Sequence, residues 1–286
     1  MEQKNLIPFY LVNLKAFGDF VIASAALKQL QVANKPNLIA GYHVRELMHA
    51  LDLGEHTRLI GDTRWQNVPA AFDVRKRGIL VALNSMKTLR HYLSKVALKS
   101  ILVFDHLGWR ERWIAGRHQA RGLPDAGNIY LAYVALFDEM GLACTPSRVS
   151  PATLRRALII PGARQQARII PATVMKEMAY LLSIRGITSQ ILLLDGENLS
   201  VPNDVQTVII PRHFDALITA IRACDVIVSA DSLASHLGEF FGIPIFVATP
   251  KPKEYWLPKS AYLYRAWAIF GDTAPFQSWL ERFPRG

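Results

Sequence analysis

The chain has 286 residues, well beyond the roughly 150 of one typical domain; 51% of them are hydrophobic, enough for a substantial core and too many for a disordered chain. Cys144 and Cys224 are its only cysteines, too far apart in sequence for a metal knuckle and in keeping with a reducing cytosol. The formal charge of +10 is concentrated in residues 75–121, where eleven Lys and Arg stand against Asp105 and Glu111, a net of +9.

The N-terminal segment imitates a secretion signal, with Lys4, an apolar run at 6–14 and small residues at 23–25. Lys15 and Asp19 fall between that run and the small residues, where such signals avoid charge, so 9–14 reads as a core strand and 20–31 as the helix after it. No apolar segment approaches the roughly 20 residues of a membrane-spanning helix. Further strands are expected at 38–42, 58–60, 79–83 and 100–104, and an amphipathic helix at 128–140, stopped by Gly141. Residues 144–151, CTPSRVSP, carry two prolines among small polar residues and make the linker.

The alternation then restarts. A strand at 157–160 leads into a Pro-Gly turn, and a helix at 172–185 opens behind Pro171, which suits a first helical turn. Strand 190–194, helix 214–223, strand 226–228, helix 233–241 and strand 243–248 follow, and the aromatic tail 262–283 reads as helix. Short apolar runs alternating with longer amphipathic ones indicate an α/β chain, each half a parallel sheet covered by helices. The expected domains are 1–150, basic, and 151–262, with a tail, 263–286, that packs back on the first.

Residues with chemistry cluster at the carboxyl ends of the expected strands, where open α/β sheets bind ligands. Asp19 follows the first strand; Gly162, Arg164 and Arg168 follow the strand at 157–160; Asp231, Ser232, Ser235 and His236 follow the strand at 226–228. A helix starting near Ser232 would offer unpaired N–H groups and a positive dipole end to a phosphate or diphosphate, with Ser232 and His236 on one face. The plainer reading is that Asp231 or Ser232 caps that helix, that Asp19 caps the first one, and that His236 is a core histidine. Arg164 and Arg168 suit phosphate oxygens or a departing diphosphate, or are merely surface arginines. The basic block points either to an anionic partner (phosphate-rich glycolipid or membrane surface) or to a solvated helix face, and no recognition motif for nucleic acid accompanies it. A P-loop, a G-x-G-x-x-G turn, H-E-x-x-H and an Asp-x-Asp pair are all missing, which removes the usual support for kinase, dehydrogenase and zinc-protease readings and leaves no pointer to a metal.

Taken together, YLVNLKAFGDFVIASAALKQL, ALIIPGARQQARIIPATVMKEMAYLL and CDVIVSADSLASHLGEFFGIPIFVATP resemble three patches of glycosyltransferase family 9, the ADP-heptose:lipopolysaccharide heptosyltransferases, in the same order and spacing. NIYLAYVALFDEMGL is similar to the helix before that family's linker. The resemblance implies a GT-B fold, two doubly wound Rossmann-like domains facing a cleft. It also implies an inverting, metal-independent transfer of heptose or a related sugar, with no cofactor beyond the nucleotide-sugar donor. Asp19 falls on the family's proposed catalytic base. Gly162, Arg164, Arg168, Asp231, Ser232, Leu233 and His236 fall on or around donor-site positions, and Lys15, Arg110, Arg112 and Arg117 are assigned to the acceptor. The implied partners are a nucleotide-sugar, a glycolipid or polysaccharide acceptor and the inner-membrane surface, met from the cytoplasm; nucleic acid is not expected. Four departures surround the donor pocket: Leu233 replaces a glycine, Arg168 a lysine, Ile170 a tryptophan and Thr249 a glycine. They leave open a rival reading, a GT-B scaffold with a degraded donor pocket that binds an anionic partner, and an epimerase or phosphorylase of the same fold.

Overall fold

The computed structural model describes residues 9–13, 16–30, 37–54, 57–60, 79–82, 101–104, 107–116, 119–142, 144, 153–251 and 253–284. Lys15, Arg117, the linker beyond residue 144 and most of the basic block lie outside them. The chain divides into two compact units, one of Met1–Asp125 with Ala132–Thr145, the other of Ala126–Leu131 with Pro146–Gly286.

The first unit is built on a parallel sheet ordered β3-β2-β1-β4-β5-β6. Its strands are β1 (Phe9–Asn13), β2 (Asn37–Gly41), β3 (Thr57–Ile60), β4 (Ile79–Ala82), β5 (Ile101–Phe104) and β6 (Gln119–Gly122). Between β1 and β2 runs α1 (Phe17–Lys28), buried continuously from Phe20 to Leu27. A helix apolar on every side belongs inside a core, and its alanines and serine let it lie close to its neighbours. The one hydroxyl in that run, Ser24, is satisfied within the helix by donating to the Phe20 carbonyl at 2.7 Å. Two further helices, α2 (Arg45–Ala50) and α3 (Trp109–Ala115), follow β2 and β5.

Next in the chain is α4 (Ile129–Glu139), and from Pro146 onward the second unit repeats the same winding. Its sheet, ordered β12-β11-β10-β7-β8-β9, is parallel throughout. The elements are β7 (Arg156–Ile160), α5 (Ala172–Ile184), β8 (Thr188–Leu194), β9 (Thr207–Ile210), α6 (Phe214–Arg222), β10 (Val226–Ala230), α7 (Leu233–Phe241), β11 (Ile245–Thr249), α8 (Lys259–Leu263), β12 (Trp267–Ile269) and α9 (Ala274–Leu280). Both β10 and β11 are buried along their whole length, as expected of central strands covered on both faces.

Three strands escaped the sequence reading, and all lie at sheet edges. QARG at β6 is polar, β9 alternates exposed and half-buried residues, and β12 has only three residues. An edge strand needs no continuous apolar run, so the signal that exposes central strands is absent there. The tail also differs from expectation: it stays with the second unit. β12 pairs with β11, and Phe276 and Trp279 of α9 pack their rings 4.7 and 5.5 Å from that of Phe246. Its aromatics were therefore core residues of the nearer domain.

Residues 126–131 also belong to the second unit, although the expected boundary lay near 150. The reason is a buried amide. Asn128, fully enclosed, donates to the carbonyls of Glu254 at 3.1 Å and Leu257 at 2.9 Å, and its Oδ1 accepts the Tyr130 N–H at 3.0 Å. Beside it Gly127 has φ +69° and lies so close to the Tyr262 hydroxyl that a Cβ would stand 2.6 Å from it. Replacing Asn128 by Ala strands these groups in a buried site, where each unpaired polar group costs about 1–3 kcal/mol. Asn128→Ala is expected to lower the stability of the second unit by at least about 2 kcal/mol in urea unfolding; a change within about 0.5 kcal/mol, the size of a neutral surface substitution, contradicts this account.

Candidate functional site

In the second sheet β7 and β10 are neighbours, yet the chain leaves them for opposite flanks, β7 toward β8 and β10 toward β11. Such a switch of winding leaves a crevice at the carboxyl ends of the two strands. After β7 come Pro161, Gly162 and a 3-10 turn at Gln166–Arg168; after β10 come Asp231, Ser232 and α7. The structure brings the two ends together: Arg168 Nη1 lies 3.4 Å from Asp231 Oδ2 and 3.5 Å from the Asp231 carbonyl. The Asp231 side chain is only 9% exposed, so its carboxylate needs this cation, while the Arg168 side chain is 28% exposed. At such distances a partly solvated pair adds about 0–1 kcal/mol, so its consequence is position more than stability. Nη2 and Nε of Arg168 have no partner among the described residues and remain available to a ligand.

Ser232 precedes α7 in extended conformation, and no side chain caps the helix. Ser232 is thus the N-cap by position, as the plainer reading has it, but neither its hydroxyl nor the Asp231 carboxylate bonds a first-turn N–H. Ser235 turns its hydroxyl back to the Ser232 carbonyl at 2.8 Å. First-turn N–H groups without a side-chain partner, at the positive end of the helix dipole, form a seat for an anion. The helix is held close to the sheet by Gly238, where a Cβ would stand 2.8 Å from Ile245 Cγ1 and 2.9 Å from Ile227 Cδ1. Gly242, at φ +70°, ends it.

His236, one turn into α7, is buried, and its Nδ1 lies 3.0 Å from the Tyr130 hydroxyl. Burial raises the Tyr130 phenol well above 10, with the charge of Glu239 adding to the effect. Burial also pulls His236 down to about 4, so the ring is neutral at pH 7. The enclosed phenol has no other acceptor among the described residues, so it donates to Nδ1 and the imidazole hydrogen sits on Nε2. Nε2–H has no partner among those residues.

The remaining expectations fare differently. Gly162 lies under the Glu197 carboxylate, 2.8 Å from where its Cβ would stand, and Glu197 Oε2 accepts the Leu194 N–H at 2.9 Å. Arg164 is exposed and makes no ion pair among the described residues. Leu233 is half-buried at the first helical position of α7, and Thr249 donates its hydroxyl to the Lys251 carbonyl at 2.8 Å. Ile170 is a core residue, 1% exposed. In the first unit, α1 starts three residues earlier than expected: Ala16 is its N-cap and the half-buried Asp19 is the third helical residue, so Asp19 is not a cap but a carboxylate at the positive end of the dipole. Arg110 and Arg112 are exposed on α3.

Two residues were missed. Tyr130 stands 106 positions before His236 on a helix that reads only as amphipathic, and no spacing in the sequence links them. Glu197 follows β8 at its carboxyl end, and the rule that picked out Asp231 would have found it. The described residues contain no group of three or more His, Cys, Asp or Glu able to hold a metal ion. A groove of about 560 Å³ lined by Thr173, Lys176, Tyr180, Ser189 and Asp204 lies by the amino ends of β8 and β9, and its Lys176 and Asp204 are already paired at 3.1 Å. It is far less suited to chemistry than the switch point.

No protein-family model and no curated protein matches the sequence. Solved structures do. The chain is similar to E. coli ADP-heptose lps heptosyltransferase II at 15% identity, covering 96% of this chain and 97% of that one with a TM-score of 0.61. It is similar to E. coli heptosyltransferase WaaC with ADP at 12% identity, covering 92% of each chain with a TM-score of 0.61. A glycosyl transferase family 9 protein from Veillonella parvula aligns at 12% identity over 98% of this chain and 91% of that one, with a TM-score of 0.50. These likenesses establish a heptosyltransferase-like GT-B fold over nearly the whole chain.

Tyr130→Phe leaves Nδ1 of His236 buried without its donor and is expected to cost about 1–3 kcal/mol in denaturant unfolding; an unchanged midpoint and slope would show that the bond is not made. The depressed His236 pKa has a pH signature. As pH falls, the unfolded chain takes up the proton near 6.5, whereas the folded chain resists until about 4. Stability contributed by the neutral ring is therefore complete above pH 6.5 and lost between 6.5 and 4, by about 3 kcal/mol. His236→Gln should flatten the pH dependence in that window, and equal slopes for the two proteins would contradict the burial of a neutral ring.

Proposed function

We propose that this chain is an inverting glycosyltransferase that moves heptose or a related sugar from a nucleotide-diphosphate donor to a lipopolysaccharide-core or other cell-surface glycan acceptor. The observation that carries the reading is the meeting of Arg168 with Asp231 beside the uncapped start of α7, at the winding switch of the second sheet. Support comes from a fold shared with heptosyltransferases, one of them solved with ADP.

In this reading the donor's diphosphate sits on the first N–H groups of α7, with the free N–H groups of Arg168 and Nε2–H of His236 as further donors. An acceptor hydroxyl attacks the anomeric carbon as the bond from that carbon to the diphosphate oxygen breaks, so configuration inverts in one displacement. Negative charge grows on the departing diphosphate, where the helix end and the guanidinium stabilise it. These fixed charges take the part that a divalent metal plays elsewhere, and the donor is the only small molecule required. Asp19 takes the hydroxyl proton, the role that the resemblance of its segment gives it. Lys15, Arg110, Arg112 and Arg117 are assigned to an anionic, lipid-borne acceptor, which sets the reaction at the cytoplasmic face of the inner membrane.

One observation favours a second reading. The Leu233 side chain stands where a glycine would leave the diphosphate more room, as in a scaffold that binds an anionic partner without catalysis. Thermal unfolding with ADP, UDP, GDP and CMP and their sugar conjugates separates the two. A ligand at about 100 times its Kd adds about 2.7 kcal/mol to the folded state. One nucleotide is expected to stabilise the protein selectively, and Arg168→Ala to weaken its binding about tenfold, the worth of one charge-assisted contact. Asp19→Asn should keep nucleotide binding and lose transfer by about 10²–10⁴-fold, the usual share of a general base. Indifference to every nucleotide at millimolar concentration would sink the donor site, and near-normal transfer by Asp19→Asn would sink the assignment of the base.

A further inference from the structure

The second sheet ends at β9, TVII, and that edge is open. The Ile191 N–H bonds the Gln206 carbonyl and the Asp195 N–H the Ile210 carbonyl, both at 2.8 Å, so Gln206, Val208 and Ile210 turn their backbone groups toward β8. Thr207 and Ile209 turn their N–H and C=O groups outward, where they meet no partner among the described residues. Proteins guard such edges with a charge, a proline or a very short strand. β3 carries Arg58, β6 carries Arg121 and β12 has only three residues. β9 is built of β-branched residues alone, with neither charge nor proline, and its Ile209 is 66% exposed.

Thr207 and Ile209 share a sheet face with Ile191 and Leu193, their partners in register, on which α5 packs. Beside Thr207 on that face is the groove of about 560 Å³, with Val205 and Gln206 on one side and Tyr180, 63% exposed, on the other. A two-fold axis satisfies all of these features. Laid antiparallel on β9 of a second copy with Val208 facing Val208, each strand sets Thr207 opposite Ile209, and the two pairs use every outward N–H and C=O in four hydrogen bonds. Ile209 of each copy then stands beside Thr207 of the other, next to the groove that Tyr180 lines. Past the paired segment, Asp204 of one copy falls opposite Arg212 of the other, twice over. Both are exposed; Asp204 has only Lys176 at 3.1 Å, and Arg212 spends only Nε, on the Asp195 carbonyl at 3.2 Å. One symmetry operation thus matches donors to acceptors, an apolar knob to a groove and opposite charges to each other, and a contact of this kind closes at two copies.

We propose that two copies of this chain pair through β9 into a two-fold dimer with one sheet running across both. The inference does not rest on the transferase reading, because association is measured with neither donor nor acceptor present. The full chain is followed by sedimentation velocity from micromolar to submillimolar concentration, and a monomer–dimer equilibrium that stops at the dimer is expected. Ile209→Lys, at an exposed position that leaves the core intact, sets a charge in the paired edge and should weaken the dimer at least about tenfold. Thr207→Pro removes an N–H that only the second copy can use, leaves the bonds to β8 in place and should weaken the dimer similarly. Asp204→Arg should weaken it by like charge, and Asp204→Arg with Arg212→Asp should restore it, a rescue that a role within one chain does not produce. An unchanged urea midpoint shows that each variant is folded, and Ile209→Lys decides alone if Thr207→Pro loosens the strand. A wild-type chain that stays monomeric throughout overturns the proposal. So does a dimer that folded Ile209→Lys leaves intact, since it is made by another surface, and so does growth beyond two copies, which a two-fold contact forbids.

Discussion

Everything that makes the second unit a candidate enzyme domain depends on one constraint of winding. β7 and β10 run side by side in the same direction, and the chain leaves them for opposite flanks. Their carboxyl ends are therefore left uncovered by either connection, and residues more than sixty positions apart in sequence meet there. Arg168 reaches Asp231 because of this, and α7 presents its N-terminus there because only Asp231 and Ser232 separate it from the end of β10. Gly238 then holds the helix against β10 and β11, closer than any side chain would permit.

Behind the crevice lies a set of buried polar groups that has no counterpart in a purely apolar core. Asn128 is tied to the backbone at Glu254 and Leu257, Tyr130 to His236, and Glu239 accepts both the N–H and the hydroxyl of Ser260. Burial pushes the Glu239 carboxyl up, while the Ser260 hydrogen bonds and Lys259 pull it back. Groups of this kind are costly when half satisfied and specific when fully satisfied. Here they determine where residues 126–131 belong and which nitrogen of His236 carries hydrogen.

The central strands were legible because burial on both faces demands runs such as VIVSA and IFVAT, and the positions of Arg168, Asp231 and His236 at the ends of such runs were legible with them. The sequence concealed three of the four edge strands, β6, β9 and β12, which are polar, alternating or very short, and the place of the tail, whose aromatics suit any apolar partner equally well. Tyr130 was concealed for a different reason. Its role is fixed by a buried hydrogen bond to a residue 106 positions away, and neither residue type nor spacing encodes that pairing. Asp19 was placed near the start of its helix, yet the turn itself began earlier, at Phe17, since Gly18 is accepted in the first turn as readily as before it.

The strand order also governs how the second unit comes into being. β7 can pair with β8 soon after both are made, but its other neighbour, β10, lies about seventy residues downstream. β12 and α9 come later still, and Phe276 and Trp279 of α9 are what close the core over Phe246. Pairings between distant segments repay their loop-closure entropy only late, so such sheets fold slowly and through partly formed states. Until residues 276–280 arrive, the far flank of this sheet is a bare apolar surface, and the growing chain depends on whatever shields it.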